Sequence, residues 1–209
     1  ICVFMFGSIM YSGVFATISQ AMQNMDRALQ RYRKRMDDIN EFFLFQRVPP
    51  QLQRKIRNNV EFAFSVTKGI NVDSIAAQLP AHLQLEIHLQ LNKKMVQQVQ
   101  RFAGCSRDFY NSLVTKLKPC ICVAGDYVFY AGDTGTKMYF VKRGTAVVLD
   151  PGGATIHTFK EGAYFGEMAL LTDKPRTADI KATSDCMLLS LGKADLEAVL
   201  NIYPAARLR

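Results

Sequence analysis

After Lys118-Pro119 the sequence is broken about every ten residues by turn-forming groups: Gly125-Asp126, Gly132-Asp133, Gly135, Gly144, Pro151-Gly152-Gly153, Gly162 and Gly166. Between them lie short runs rich in Val, Ile, Tyr and Phe. Such runs are too short for helices that bury a stripe, and their spacing fits an antiparallel sandwich or barrel. "KMYFVKRGTAVVL" is expected to form a hairpin turning at Arg143-Gly144, and "TADIKATSDCMLLSL" a second strand pair. "KADLEAVLNIYP" reads as a helix closing this part of the chain.

The first half obeys a different period. Met22, Met25, Leu29, Tyr32, Met36, Ile39 and Phe43 recur at steps of three and four, one stripe of a long amphipathic helix. Pro49-Pro50 ends it and opens a second helix, because proline at a first helical position loses no useful N–H. Asn71 or Asp73 can cap a short helix through Leu79, and Pro80 opens the next. "HLQLEIHLQL" alternates like a strand, yet Leu83, Ile87, Leu91, Met95 and Val99 continue at four-residue steps, which predicts a helix. Leu85 and Leu89 then fall off the buried face, where a partner subunit would cover them.

Ile1–Ala21 contains no charged residue; the first is Asp26. At about 1.5 Å per residue, that length crosses a hydrocarbon core of about 30 Å. Its glycines, serines and threonine suit a helix packed on others or lining a water path. Arg27, Arg31, Arg33, Lys34 and Arg35 follow at once, placing everything after about residue 25 on the cytoplasmic side. The opening Ile and the absence of a basic leader suggest a fragment beginning inside a helix rather than a signal peptide. The net charge of +8 arises ahead of Pro119; beyond Lys118, ten Lys and Arg offset ten Asp and Glu. A basic excess that follows an apolar segment points to a membrane surface rather than to nucleic acid.

Cys2, Cys105, Cys120, Cys122 and Cys186 are scattered and odd in number, which favours reduced thiols. Cys120-Ile-Cys122 is expected to send its two thiols to opposite faces of a strand, so it is not read as a zinc spacing. His82, His88 and His157 lie away from any cysteine pair, and no metal site is expected. A phosphate loop ending in Gly-Lys-Ser/Thr, a GxSxG elbow and an HExxH helix are all missing, so no catalytic residue is proposed and the chain is not read as an enzyme.

"FGEMALLTDKPRTA" interrupts the β pattern with helix formers. Gly166 permits close backbone approach, and the amides at the start of the helix suit an anion. Arg176 can fork onto the same anion, while the Glu167 carboxylate would accept hydrogen bonds from sugar hydroxyls. Thr177 adds a hydroxyl. A phosphate joined to a ribose satisfies this set; a Glu167–Arg176 salt bridge pinning a loop is the alternative.

The same stretch resembles the phosphate-binding cassette of cyclic-nucleotide-binding domains, and "AGDYVF…GDTGTKMYFVKRG" resembles the first strands of that domain. The N-terminal half resembles the last pore helix and helical C-linker of cyclic-nucleotide-modulated cation channels, and "GDYVFYAGDTGTKMYF" and "YPAARLR" look closest to the hyperpolarisation-activated group. The resemblance implies an α+β chain: a pore-lining helix end at 1–21, a helical tetramerising C-linker at 22–104 and a β jelly roll with flanking helices at 105–209. It further implies that Arg176 and the amides near Met168 and Ala169 hold the cyclic phosphate, Gly166 and Glu167 the ribose, and Thr177 the phosphate or purine. Val148, His157 and Phe159 would line the base pocket, although His157 replaces the usual apolar residue. A lid helix is expected to begin near Arg209 and to be cut short there. The function so implied is the cytoplasmic gating module of a voltage-gated cation channel, a homo- or heterotetramer in the cell membrane that responds to cAMP or cGMP. A soluble cyclic-nucleotide sensor and a structural domain that binds no nucleotide are the competing readings.

Overall fold

A computed structural model describes residues 28–70, 72–99, 102–172 and 174–206. Ile1–Ala21 lies outside them. Among the described residues no helix is long and apolar enough to cross a membrane. The chain divides into two compact units at Asn71/Val72.

The first unit is helical. Helix α1 covers 28–45, and α2 spans Pro50–Thr67 with proline at its start, as the sequence predicts. The stripe Leu29, Tyr32, Met36, Ile39 and Phe43 is the better-covered side of α1. Tyr32 packs on Phe64 of α2 with ring centroids 4.5 Å apart, and Arg57 lies over the ring of buried Phe43. Lys68 adopts the left-handed conformation at the end of α2, and its N–H bonds the Phe64 carbonyl at 2.8 Å.

The second unit opens with α3 (Val72–Ala76), α4 (Ala81–Gln97) and α5 (Arg107–Val114). Ser106 caps α5 by accepting from the Phe109 N–H at 3.2 Å. Helix is the right reading for 82–91, but the buried face is turned. Leu83 and Leu91 are exposed, whereas Leu89, Asn92, Met95, Val96 and Val99 face inward. The inward Asn92 hides this face from a hydrophobicity pattern; its Oδ1 accepts from Lys142 Nζ at 3.1 Å.

Eight strands follow: β1 (Lys118–Cys122), β2 (Tyr127–Phe129), β3 (Lys137–Arg143), β4 (Ala146–Leu149), β5 (Thr155–Phe159), β6 (Tyr164–Phe165), β7 (Asp179–Ala182) and β8 (Cys186–Gly192). They form two four-stranded antiparallel sheets, β1-β8-β3-β6 and β2-β7-β4-β5. Helix α6 (Glu167–Thr172) interrupts the strands, and α7 (Lys193–Ile202) with a 3-10 turn at Pro204–Ala206 follows them. The fold is therefore α+β with an antiparallel double sheet of the jelly-roll kind.

Neither expected hairpin exists as such. β3 and β4 belong to different sheets, and so do β7 and β8. The short turns between them are corners at which the chain changes sheet, and the two corners hold each other. Thr183 N–H donates to the Thr145 carbonyl at 2.9 Å, and Thr145 N–H donates to Ser184 Oγ at 2.9 Å. A Cβ on Gly144 would lie 2.5 Å from the Asp185 carbonyl oxygen, so only glycine fits this corner, where φ is +93°.

Alternation along β3 separates two cores. Met138 and Phe140 face α4, α5 and α7, joining Val96, Phe109, Leu113, Leu196 and Val199. Val141 faces the other way, meeting Ala146, Phe165, Ile180, Ala182, Cys186 and Leu188 between the sheets. Partly buried Phe129, Tyr139, Val148 and Phe159 border this second core, which forms the floor of the region described next.

Candidate functional site

Strand β6 is two residues long and pairs with β3 through Tyr139↔Phe165 and Phe140↔Tyr164. Gly166 follows at φ +79°, and α6 starts at Glu167. The chain returns past the β2–β3 loop, where Arg176 N–H donates to the Asp133 carbonyl at 2.9 Å and Gly132 N–H donates to the Arg176 carbonyl at 2.8 Å. Gly166 and Arg176 therefore close the two ends of one loop-helix-loop.

The side chain of Arg176 is buried. Its Nη1 donates to the Gly166 carbonyl at 2.7 Å, its Nη2 donates to the Lys137 carbonyl, and its guanidinium carbon lies 3.9 Å from the centroid of Phe129. Nε is buried without a hydrogen-bond partner. Burial lowers the Arg176 pKa, partly offset by Tyr139, Asp133 and Glu167. Two carbonyls, an aromatic face and nearby negative groups hold a cation there. Among the described residues no Glu167–Arg176 ion pair forms; Glu167 acts on the arginine only through its field. The salt-bridge alternative is thus replaced by a brace from arginine to backbone.

The brace explains Gly166 more closely than ligand approach does. A Cβ there would sit 2.7 Å from Arg176 Nη1 and 3.4 Å from Phe129. Positive φ and the guanidinium both exclude a side chain.

Glu167 is half-buried, Met168 is 54% exposed and Thr177 is exposed. Ala169 lies in α6, with its backbone helical. Val148 stands opposite His157 in the β4–β5 register. His157 and Phe159 are two apart on β5, so they share a face, with ring centroids 4.9 Å apart. Phe159 in turn meets Phe165 at 5.0 Å, and Phe165 meets Phe129 at 6.0 Å. An aromatic chain thus runs from the β5 edge to the ring under Arg176. His157 itself is exposed. The sequence reading missed Phe129 and the Lys137 carbonyl, which hold Arg176; Phe129 was visible only as one aromatic in "DYVFY", with no spacing tying it to an arginine 47 residues away.

The cysteine expectation needs correction. Residues two apart in a strand share a face, and Cys120 and Cys122 do so, both packing against the inter-sheet core. Among the described residues no group of metal-ligating side chains could hold an ion.

A double sheet interrupted by a short helix, with an arginine returning beneath its first glycine, defines a class. Residues 122–203 match the family model of the cyclic nucleotide-binding domain, and this part of the chain is such a domain. The chain is also homologous to voltage-gated potassium channels. It is 31% identical over 206 residues to the voltage-gated inwardly rectifying potassium channel KCNH2 of Oryctolagus cuniculus, covering 98% of this chain and 18% of that protein. It is 31% identical over 207 residues to KCNH6 of Rattus norvegicus, covering 98% of this chain and 22% of the relative, and 31% identical over 206 residues to KCNH7 of Mus musculus, covering 98% and 17%. The chain thus spans about a fifth of the length of these relatives. Their names do not single out the hyperpolarisation-activated group suggested by the sequence.

Proposed function

We propose that this chain is the cytoplasmic gating module of a tetrameric cation channel, and that its β domain binds cAMP or cGMP and passes the binding energy through the helical segment to the pore. One observation carries the reading: Arg176 is held as a cation beneath the Gly166–α6 turn with its Nε unpartnered. A buried donor without a partner is costly, and a cyclic phosphate seated on the turn would supply an acceptor. Glu167 lies beside this position and would accept from the ribose hydroxyl. Thr177 would reach the phosphate or the purine, and Val148, His157 and Phe159 would flank the base.

The remaining parts of the proposal rest on the channel relatives and on the sequence. Ile1–Ala21 would be the end of the pore-lining helix, residues 22–104 the C-linker and residues 105–209 the nucleotide-binding part. Leu44 and Phe45 are more than four-fifths exposed on the first unit. Apolar exposure of that extent suits an interface with neighbouring subunits. The kinship with the hyperpolarisation-activated group remains part of this proposal.

A second reading draws on the same arginine. Both Nη groups are already satisfied by carbonyls, which suits a domain whose cassette is a structural brace that binds no nucleotide. Titration with a fluorescent cyclic-nucleotide analogue separates the two. The gating reading predicts saturable binding that weakens about tenfold, or roughly 1.4 kcal/mol, in Glu167→Gln and Thr177→Ala. The brace reading predicts no binding by a folded chain.

A further inference from the structure

Strand β3 carries an extra residue at Lys142. Val141 pairs with Leu188 and Arg143 with Met187, so two steps along β3 answer one along β8. A bulge of this kind re-aims a side chain. Lys142 turns to α4, where its Nζ donates to Asn92 Oδ1 at 3.1 Å. Asn92 is buried on a helix face that otherwise packs apolar side chains, Leu89, Met95 and Val96. Lys142 is half-buried, and burial lowers its pKa, so the ammonium is held there against desolvation. An apolar pair would fill the same space without that cost.

The neighbouring bonds lead to the cassette. Val141 N–H donates to the Ala163 carbonyl and Gly162 N–H donates to the Val141 carbonyl, both at 2.8 Å. Gly162 also lies against the end of α4: a Cβ there, at φ +89°, would be 3.0 Å from Gln98 Oε1. Further along, the Gly166 carbonyl accepts from Arg176. Between the two glycines, Tyr164 packs on the helical core and Phe165 enters the inter-sheet core. One short segment, 162–166, thus meets α4 at one end and holds the arginine at the other.

We propose that Asn92, Lys142 and Gln98 are positioning residues that strap α4 to residues 162–166, so that α4 and the Gly166–Arg176 turn move together. Coupling of this kind is reciprocal. A shift of α4 alters the turn, and a ligand on the turn alters the hold on α4; this second half rests on the gating reading above.

Amide hydrogen exchange of the full chain, read residue by residue, tests the strap without ligand. Asn92→Leu combined with Lys142→Met replaces the polar pair by an apolar one, and this variant is expected to unfold at or above the wild-type temperature. In it the Gly132 and Arg176 amides, whose bonds close the cassette on the β2–β3 loop, should exchange about fivefold faster or more. Asn92→Asp keeps an acceptor for Lys142 and should exchange as the wild type does. If the paired change prevents cooperative folding, Lys142→Met alone makes the same comparison. A uniform rise across the β domain, or one confined to α4, Val141 and Gly162, overturns the proposal. With saturating cAMP or cGMP, the α4 amides should be protected in the wild type and not in the variant. Protection that is absent from the wild type, or equal in both, overturns it as well. Absence of binding by both nucleotides removes the gating reading, and the ligand-free comparison still decides the strap.

Discussion

At Gly166 a single missing Cβ lets Arg176 reach the backbone it braces, and the energetics follow from that contact. Gly166→Ala must adopt φ near +79° and push against Nη1, costing about 1–2 kcal/mol for the backbone alone. In an Arg176→Ala background the clash is gone and the second cost should be smaller. A double-mutant cycle by denaturant unfolding should therefore show coupling between the sites of about 0.5–3 kcal/mol; additive costs would remove the brace. Arg176→Glu sets a carboxylate against two carbonyls, so loss of stability is expected alongside any loss of binding, which makes Glu167→Gln and Thr177→Ala the cleaner probes of the ligand. At Cys120 the alkylation rate should rise as pH passes through about 7, whereas an ordinary thiol rises near 8.5. Cys122 beside it and, less strongly, Lys137 on β3 lower this value, against the opposing effect of burial.

At the scale of elements, the helices were the most readable part of the sequence. The Leu29–Phe43 stripe states its own buried face, and Pro49-Pro50 marks where α2 begins. The face of α4 was misjudged because Asn92 occupies an inward position through a bond to Lys142, 50 residues away in sequence. The strands were legible but their partners were not. "KRGTA" looks like a hairpin turn, and only the bonds from Thr145 to Thr183 and Ser184 reveal a sheet-changing corner. Gly144→Ala should cost more than Ser106→Ala. The first drives a Cβ into a backbone oxygen 2.5 Å away, whereas the second removes one cap, worth about 1 kcal/mol. Thermal unfolding of the two variants checks the order, and equal losses would mean that the corner relaxes freely. In the site, "FGEMALL…PRTA" made the glycine and arginine visible, while the carbonyls that receive the arginine carry no sequence signature.

At the scale of the molecule, a nucleotide-binding domain need only favour one arrangement of the chain to act as a gate. A ligand that binds one state tenfold more tightly shifts the balance by about 1.4 kcal/mol per site. The central claim, that the cassette of Arg176, Gly166 and Glu167 receives a cyclic phosphate and its ribose, is tested most directly by calorimetric titration of cAMP and of cGMP into the folded chain. The account predicts saturable binding of at least one nucleotide at one site per chain, weakened about tenfold in Glu167→Gln with the unfolding temperature unchanged. Absence of binding by both nucleotides to a chain that unfolds cooperatively would contradict it and leave Arg176 as a structural brace.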